Sequence, residues 1–171
     1  MLTTTIETSR LVLRVPEAAD ARAFLEIHQD PEVLKHVTLV APQGGITVAW
    51  RNVATMIGHW QMRGYGQWAV VEKASGVIIG RVGLYNPDGW PGVELGWVVR
   101  HSHWGFGFAT EASKAALDWA WRHVNIDHVI SLIAPDNVQS IRIASKIGER
   151  FECPLTMDDS LLHKYGIHRP S

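Results

Sequence analysis

Two glycines one residue apart, Gly105 and Gly107, run directly into a segment whose apolar residues recur with a helical period. Ala112, Ala115, Ala116, Trp119 and Ala120 fall on one stripe of an α-helix. Just upstream, Val93-Glu94-Leu95-Gly96-Trp97-Val98-Val99 reads as a strand, so strand, glycine turn and helix are contiguous. Glycine lets the backbone turn with its N–H groups exposed, and the helix start adds the positive end of its dipole. Together they favour an anionic phosphoryl group at the turn.

Other readings of such a turn make different demands. A dinucleotide-binding turn wants a Gly or Ala where this chain has Thr110. Asp127 does lie at the ribose-binding spacing, yet the turn sits past the middle of the chain and too little follows for a second mononucleotide half. Alternatively, the glycines only shape a tight strand-to-helix connection.

The rest of the pattern predicts a single domain over residues 1–171 that is α/β throughout. Leu11, Leu13 and Val15 alternate as a first strand, and Asp20 is positioned to cap a helix bearing Ala21, Phe24, Leu25 and His28 on one face. A loop through Pro42-Gln43-Gly44-Gly45 precedes a second helix from near Thr47 to Gly64, with Trp50, Val53, Ala54 and Ile57 inward. Strands are expected over Gln67–Glu72, Val77–Leu84, Val93–Val99 and His128–Ala134. Helices are expected from Thr110 to about His123 and from about Val138 to Lys146, the last closed by Gly148. Short strands near Phe151–Leu155 and Leu161–His168 finish a central mixed, mostly antiparallel sheet with helices on both faces.

Bulk properties narrow the function classes. With 46% hydrophobic residues, 171 positions suffice for a substantial core. A net charge of -1 without a basic run argues against a dedicated nucleic-acid binder. No apolar window is long enough for a membrane span, and Thr3-Thr4-Thr5 does not resemble a secretion signal, so a cytoplasmic, unprocessed protein is expected. The single cysteine, Cys153, excludes an intramolecular disulfide and reads as structural. Trp50, Trp60, Trp90 and Trp97 fall near segments expected to border a cleft, although core packing is the more usual role of large aromatics.

The stretch Glu94-Leu95-Gly96-Trp97-Val98-Val99 followed by His103-Trp104-Gly105-Phe106-Gly107-Phe108-Ala109-Thr110-Glu111-Ala112 resembles the pyrophosphate-binding motif of the GCN5-related N-acetyltransferases (GNAT), in their RimJ/RimL-like branch. The resemblance covers nearly the whole chain. Thr8-Ser9-Arg10-Leu11-Val12-Leu13-Arg14 is similar to the branch's first strand, Asp30-Pro31-Glu32-Val33 to its first helix exit, and Asn137 through Gly148 to its last helix. One departure is Ser102, where the family usually carries Gln or Arg; this affects a side-chain contact and leaves the backbone contacts in place.

That resemblance implies the GNAT fold and transfer of acetyl from acetyl-CoA to an amine, on a protein N-terminus or a small molecule, by direct attack in a ternary complex. It implies that the strands ending at Val99 and Ala134 splay apart and that the cosubstrate lies in the gap, touching Trp97, Val98, Val99, Trp104, Gly105, Phe106, Gly107, Phe108, Ala109, Thr110, Asn137 and Ser140. Backbone N–H groups around Val98 and Val99 are candidates for the oxyanion and the pantetheine. Glu94 is the candidate general base; a strand bulge would instead turn it to the other sheet face. Asn137 is assigned to the pantetheine arm and Ser140 to the departing thiolate, against the alternative that Asn137 caps the helix and Ser140 is an ordinary helix residue. Thr110 is either a phosphate ligand or a helix cap.

No metal is expected: His101-x-His103 lacks a third ligand nearby in sequence, while His28, His36 and His59 fall on segments that build the acceptor side. The sequence is compatible with a homodimer and calls for neither nucleic acid nor membrane. A non-catalytic CoA-binding module is the rival class.

Overall fold

In the computed structural model, which describes residues 4–36 and 45–170, the alternating N-terminal segment forms β1 (Ile6–Glu7) and β2 (Leu11–Arg14). Helices α1 (Ala21–Gln29), α2 (Pro31–Leu34) and α3 (Gly45–Arg63) follow. Then come β3 (Gln67–Glu72), β4 (Ile78–Tyr85), β5 (Glu94–Val99) and α4 (Phe108–His123). The chain continues through β6 (His128–Ile133), α5 (Val138–Ile147), β7 (Arg150–Met157) and β8 (Ser160–His168). The predicted loop through Pro42, Gln43 and Gly44 lies outside the described residues, and Gly45 opens α3.

The strands make one sheet in the order β1-β2-β3-β4-β5-β6-β8-β7, antiparallel except where β5 meets β6. Strand alternation assigns its faces. Leu11, Leu13, Val70, Val82, Leu84 and Leu95 point to the α4 side, where Ala112, Ala116 and Ala120 are fully buried. Such small residues let the helix settle close on the sheet. Trp60, Trp68 and Trp119 meet edge to face at 4.9, 5.6 and 5.1 Å in the same core. On the opposite face Ala69 and Val98 pack under α1 and α3, against Phe24, Val53 and Met56.

The β4–β5 register is continuous from Gly80↔Val99 to Tyr85↔Glu94. Without a bulge in β5, Glu94, Gly96 and Val98 share the α1/α3 face with Arg81, Gly83 and Tyr85. By contrast, β5 and β6 hold a single paired position, Glu94↔Ile130, anchored by Ile130 N–H to the Val93 carbonyl at 2.9 Å. Beyond it the two strands diverge into an open fork.

Several sequence expectations are corrected here. Asp20 does not cap α1 through its side chain; its carboxylate instead accepts from the Glu17 N–H and from both Arg14 Nη atoms at 2.7–2.8 Å. Trp50 is 54% exposed, because the buried stripe of α3 is Ala49, Val53, Met56, His59 and Trp60. The helix after the glycines starts at Phe108, with Gly107 at its N-cap, so Thr110 stands in the first turn and is not the cap. A one-turn 3-10 segment, His101–His103, separates β5 from the glycines. The two C-terminal strands are longer than expected and form a hairpin turning at Asp158 and Asp159, both at positive φ.

Candidate active site

The fork of β5 and β6 opens into a cavity of about 370 Å³. Its floor is the α1/α3 face of the sheet, with Gln67, Arg81, Glu94 and Gly96; Phe24, His28, Asn52 and Met56 wall it above. Leu132, Ile133, Ala134, Asn137 and Ser140 line the side toward β6 and α5, and Asp158 reaches in from the hairpin tip.

Glu94 sits in the floor. Burial pushes its carboxyl up to about 6, against the opposing pull of the Trp90 indole, which donates to Oε2 at 2.7 Å, and of the Arg81 charge. A carboxylate so placed is ionised at neutral pH yet basic enough to accept a proton. The structure thus turns Glu94 into the cleft, away from the second sheet face.

Backbone direction along β5 follows from two contacts. The Val93 carbonyl bonds β6, and the Leu95 carbonyl accepts from Ser131 Oγ at 2.7 Å. Alternation then points the N–H groups of Trp97 and Val99 into the fork and that of Val98 toward β4, so Val98 contributes a side chain there and no donor. The Val99 carbonyl is closed off by Trp104 Nε1 at 2.7 Å.

Across the fork, Asn137 is the N-cap of α5, its Oδ1 accepting from Ser140 N–H at 3.0 Å. Capping therefore occupies the carboxamide oxygen and leaves the amide N–H groups without a protein partner among the described residues. Trp97 Nε1 donates to Ser140 Oγ at 3.2 Å, so the serine keeps its own proton to give.

Between the end of β5 and the start of α4, Gly105 and Gly107 both adopt φ +82, and a Cβ built on Gly105 would meet nothing within 4 Å. The turn therefore presents open backbone beside the first N–H groups of α4. It is held from outside: Arg10 Nη1 donates to the Phe106 carbonyl at 2.9 Å, Arg10 stacks on Phe108 at 4.3 Å, and Arg10 pairs with Glu111 at 2.6 Å. Phe108 is buried in the core, its ring packing beneath Arg10 and beside Phe106. Glu111 also accepts from Thr8 Oγ1 at 2.6 Å and from Ser9 Oγ at 3.1 Å. Burial would raise its carboxyl, but these hydrogen bonds outweigh it and hold Glu111 below the usual range.

The histidines divide. His28 and His36 line the cavity. Burial, and then the Arg81 charge, push His28 down to about 4 and leave it neutral. His59 does not reach the cavity: it accepts from Asn86 N–H at 3.0 Å through Nε2 and donates through Nδ1 to the Tyr65 carbonyl at 2.8 Å, stapling α3 to the loops beside it. His101 and His103 diverge toward Asp30 and Glu72, at 3.9 and 3.8 Å. The described residues do bring His128, Glu152 and His168 together on three neighbouring strands, with ligand atoms within 4.8 Å. There Glu152 is already paired with His128 and with Lys164 at 3.1 Å. Of the tryptophans, Trp90 and Trp97 border the cleft, while Trp60 belongs to the core.

Sequence reading missed Gln67, Arg81 and Glu149. Arg81 and Gln67 lie on neighbouring strands with no motif to join them. Glu149 did carry a signal: it follows Gly148 at the position where a helix end of this type normally places an apolar residue. The bonds Glu149 N–H to Ala144 carbonyl and Gly148 N–H to Ser145 carbonyl, at 3.0 and 3.2 Å, complete that motif around a carboxyl only 3% exposed.

Comparison with known proteins gives a match to the acetyltransferase (GNAT) domain over residues 10–150. An uncharacterised N-acetyltransferase, p20 of Bacillus licheniformis, is 29% identical over 145 residues, covering 84% of this chain and 80% of its own. The crystal structure of an acetyltransferase from Agrobacterium tumefaciens superposes with TM-score 0.84 at 28% identity, covering 99% of this chain and 96% of that one. RimL, a ribosomal L7/L12 alpha-N-protein acetyltransferase in complex with coenzyme A, shares the fold with TM-score 0.79 at 14% identity, over 96% and 97% of the two chains. Among the described residues no helix is long and apolar enough to cross a membrane.

Proposed function

The chain belongs to the GNAT acetyltransferase family, and from that premise we propose that it transfers acetyl from acetyl-CoA to a primary amine, of a small molecule or a protein N-terminus, by direct attack with both substrates bound. The observation that carries this reading is Glu94 on the cleft floor at the root of the β5–β6 fork, with the open glycine turn lying between that same strand and α4.

The residues fit acetyl-CoA, and the RimL structure of the same fold holds coenzyme A. Backbone N–H groups from Gly105 through Thr110 would take the pyrophosphate, the free amide of Asn137 would hold the pantetheine arm, and Trp104 would keep the strand end in place. Acetyl-CoA supplies an activated acyl group. Glu94 takes one proton from the incoming ammonium, directly or through one water, so that the neutral nitrogen attacks the thioester carbonyl; the second proton leaves the nitrogen only after the C–N bond has formed. The N–H groups of Trp97 and Val99 stand along the strand edge where negative charge develops on the carbonyl oxygen. Ser140 Oγ–H is assigned to the departing sulfur: it passes a proton to the thiolate as the C–S bond breaks and regains one, through water, from the nitrogen of the tetrahedral adduct.

The test is thiol release from acetyl-CoA against a panel of amines and N-terminal peptides, alongside calorimetric titration with CoA. Amine-dependent thiol release above the hydrolysis background is expected. CoA binding without any amine-dependent release would leave a CoA-binding module in its place.

A further inference from the structure

Three arginines of the described chain are neither exposed nor at its ends: Arg14, Arg81 and Arg100. Arg14 is ion-paired with Asp20 at 2.7 Å and Arg100 with Glu26 at 3.1 Å. Arg81, on the floor of the cleft, has no carboxylate within ion-pairing distance among the described residues; its one hydrogen bond is from Nη1 to Gln67 Oε1 at 2.8 Å. Withdrawing a guanidinium from water with one neutral acceptor and only the more distant Glu94 charge to offset it is costly, and a ligand anion offsets that cost further when it arrives. The planar fork of Arg is shaped for a carboxylate.

The floor beside Arg81 is cleared for such a ligand. Gly96 has no side chain, and a Cβ placed there would lie 3.7 Å from Gln67 Nε2 and 3.8 Å from Glu94 Oε1. The bare strip thus joins Glu94 to the Gln67–Arg81 pair. Above it, His28 Nε2 is buried without a partner, and the neutral ring brings no competing cation. One end of the floor is anionic and the other cationic, which complements a molecule that carries an amine and an acid.

We propose that Arg81 and Gln67 form an anion subsite for the carboxylate of the acceptor, so that the acceptor is a free amino acid or similar small amino acid-like amine, held with its nitrogen at Glu94 across Gly96. This deepens the amine acetylation proposed above and rests on it. A peptide N-terminus lacks a nearby carboxylate and is disfavoured by the same geometry.

The experiment compares kcat/KM for glycine, β-alanine, γ-aminobutyrate and the common L-amino acids with those of their amides and of N-terminal tetrapeptides, by thiol release. The best free acid should exceed its amide by about tenfold or more, a discrimination of the size expected for one charge-assisted contact. Arg81→Gln should bring that ratio to within about threefold. Gln67→Glu, which sets an acid against Arg81 without removing the guanidinium, should do the same and serves if Arg81→Gln fails to fold. CoA titration and an unfolding midpoint verify each variant. Wild-type enzyme that uses amides or tetrapeptides as well as free acids overturns the subsite alone. A ratio unchanged in both folded variants does so too. Turnover with none of these amines, in protein that binds CoA, overturns amine acetylation and the subsite with it.

Discussion

The carboxyl of Glu149 lies 2.8 Å from Ser131 Oγ, and the same hydroxyl lies 2.7 Å from the Leu95 carbonyl. Burial, with the nearby Glu94 and Glu152 charges, pushes this carboxyl up to about 8, so at neutral pH Glu149 is a neutral acid. A hydroxyl has one proton, and a carbonyl can only accept, so with Glu149 protonated its O–H donates to Ser131 Oγ while Ser131 donates to Leu95, tying α5 to the root of the fork through β6.

Stability should fall as pH rises across this interval. A carboxyl raised from 4.5 to about 8 binds its proton more tightly folded than unfolded, so its contribution is whole below pH 4.5 and is lost as pH climbs toward 8. The loss by pH 8 is on the order of 4 kcal/mol, and Glu149→Gln, which keeps a donor for Ser131, should flatten that slope. Urea unfolding of both proteins at pH 5, 6, 7 and 8 checks it; parallel curves would mean that Glu149 is ionised throughout.

Glu94→Gln should lower turnover by roughly 10²-fold or more with little change in acetyl-CoA affinity. In the wild type kcat/KM should fall below about pH 6, where Glu94 takes up its proton, and that limb should disappear in the variant. A pH–rate series on one amine measures both. An intact acid limb in Glu94→Gln would assign the base elsewhere.

Gly107→Val should cost CoA affinity about tenfold or more, because φ +82 is strained for a branched side chain and the turn would have to reshape. Glu111→Ala should act on the same turn from outside, by releasing Arg10, with an affinity loss of about fivefold. Calorimetric titration with CoA reads both; wild-type affinity in folded Gly107→Val would detach the turn from the cosubstrate.

Asn137 and Ser140 can be separated by choice of substitution. Asn137→Asp retains an acceptor for the Ser140 N–H and should keep the unfolding midpoint, while loss of the amide donors weakens CoA binding; Asn137→Ala should also cost about 1 kcal/mol of stability through the lost cap. Ser140→Ala should reduce turnover about ten- to a hundredfold with binding within a few-fold, since a thiolate leaves readily near neutral pH. Equal turnover at saturating substrates would show that water supplies the proton.

What could be read from the chain followed from local repetition. The alanine stripe of α4, the glycine pair and the Gly148 helix end each declare themselves within a few residues, and the sheet class follows from the order of elements. Glu94 was legible as a strand residue, but its face depended on whether β5 carries a bulge, which only the pairing with β4 decides. Trp50 was misread because α3 has apolar residues around more of its circumference than one stripe can bury. Arg81, Gln67 and the Glu149–Ser131 contact were out of reach for a different reason: they arise from registers between strands and from long-range packing, with no periodicity along the chain to mark them.

The clasp between the N-terminal segment and the glycine turn has a consequence for how the protein assembles. Arg10 and Glu111 are separated by 101 residues, and Arg10 and Phe106 by 96. Closing so large a loop costs entropy that local contacts do not, so this clasp is expected to form after the local turns of α4. Partly folded chains that have formed α4 alone would carry the glycines without the clasp that shapes them. If the turn holds the anionic end of the cosubstrate as proposed, ligand binding should report a chain in which this long-range clasp has closed.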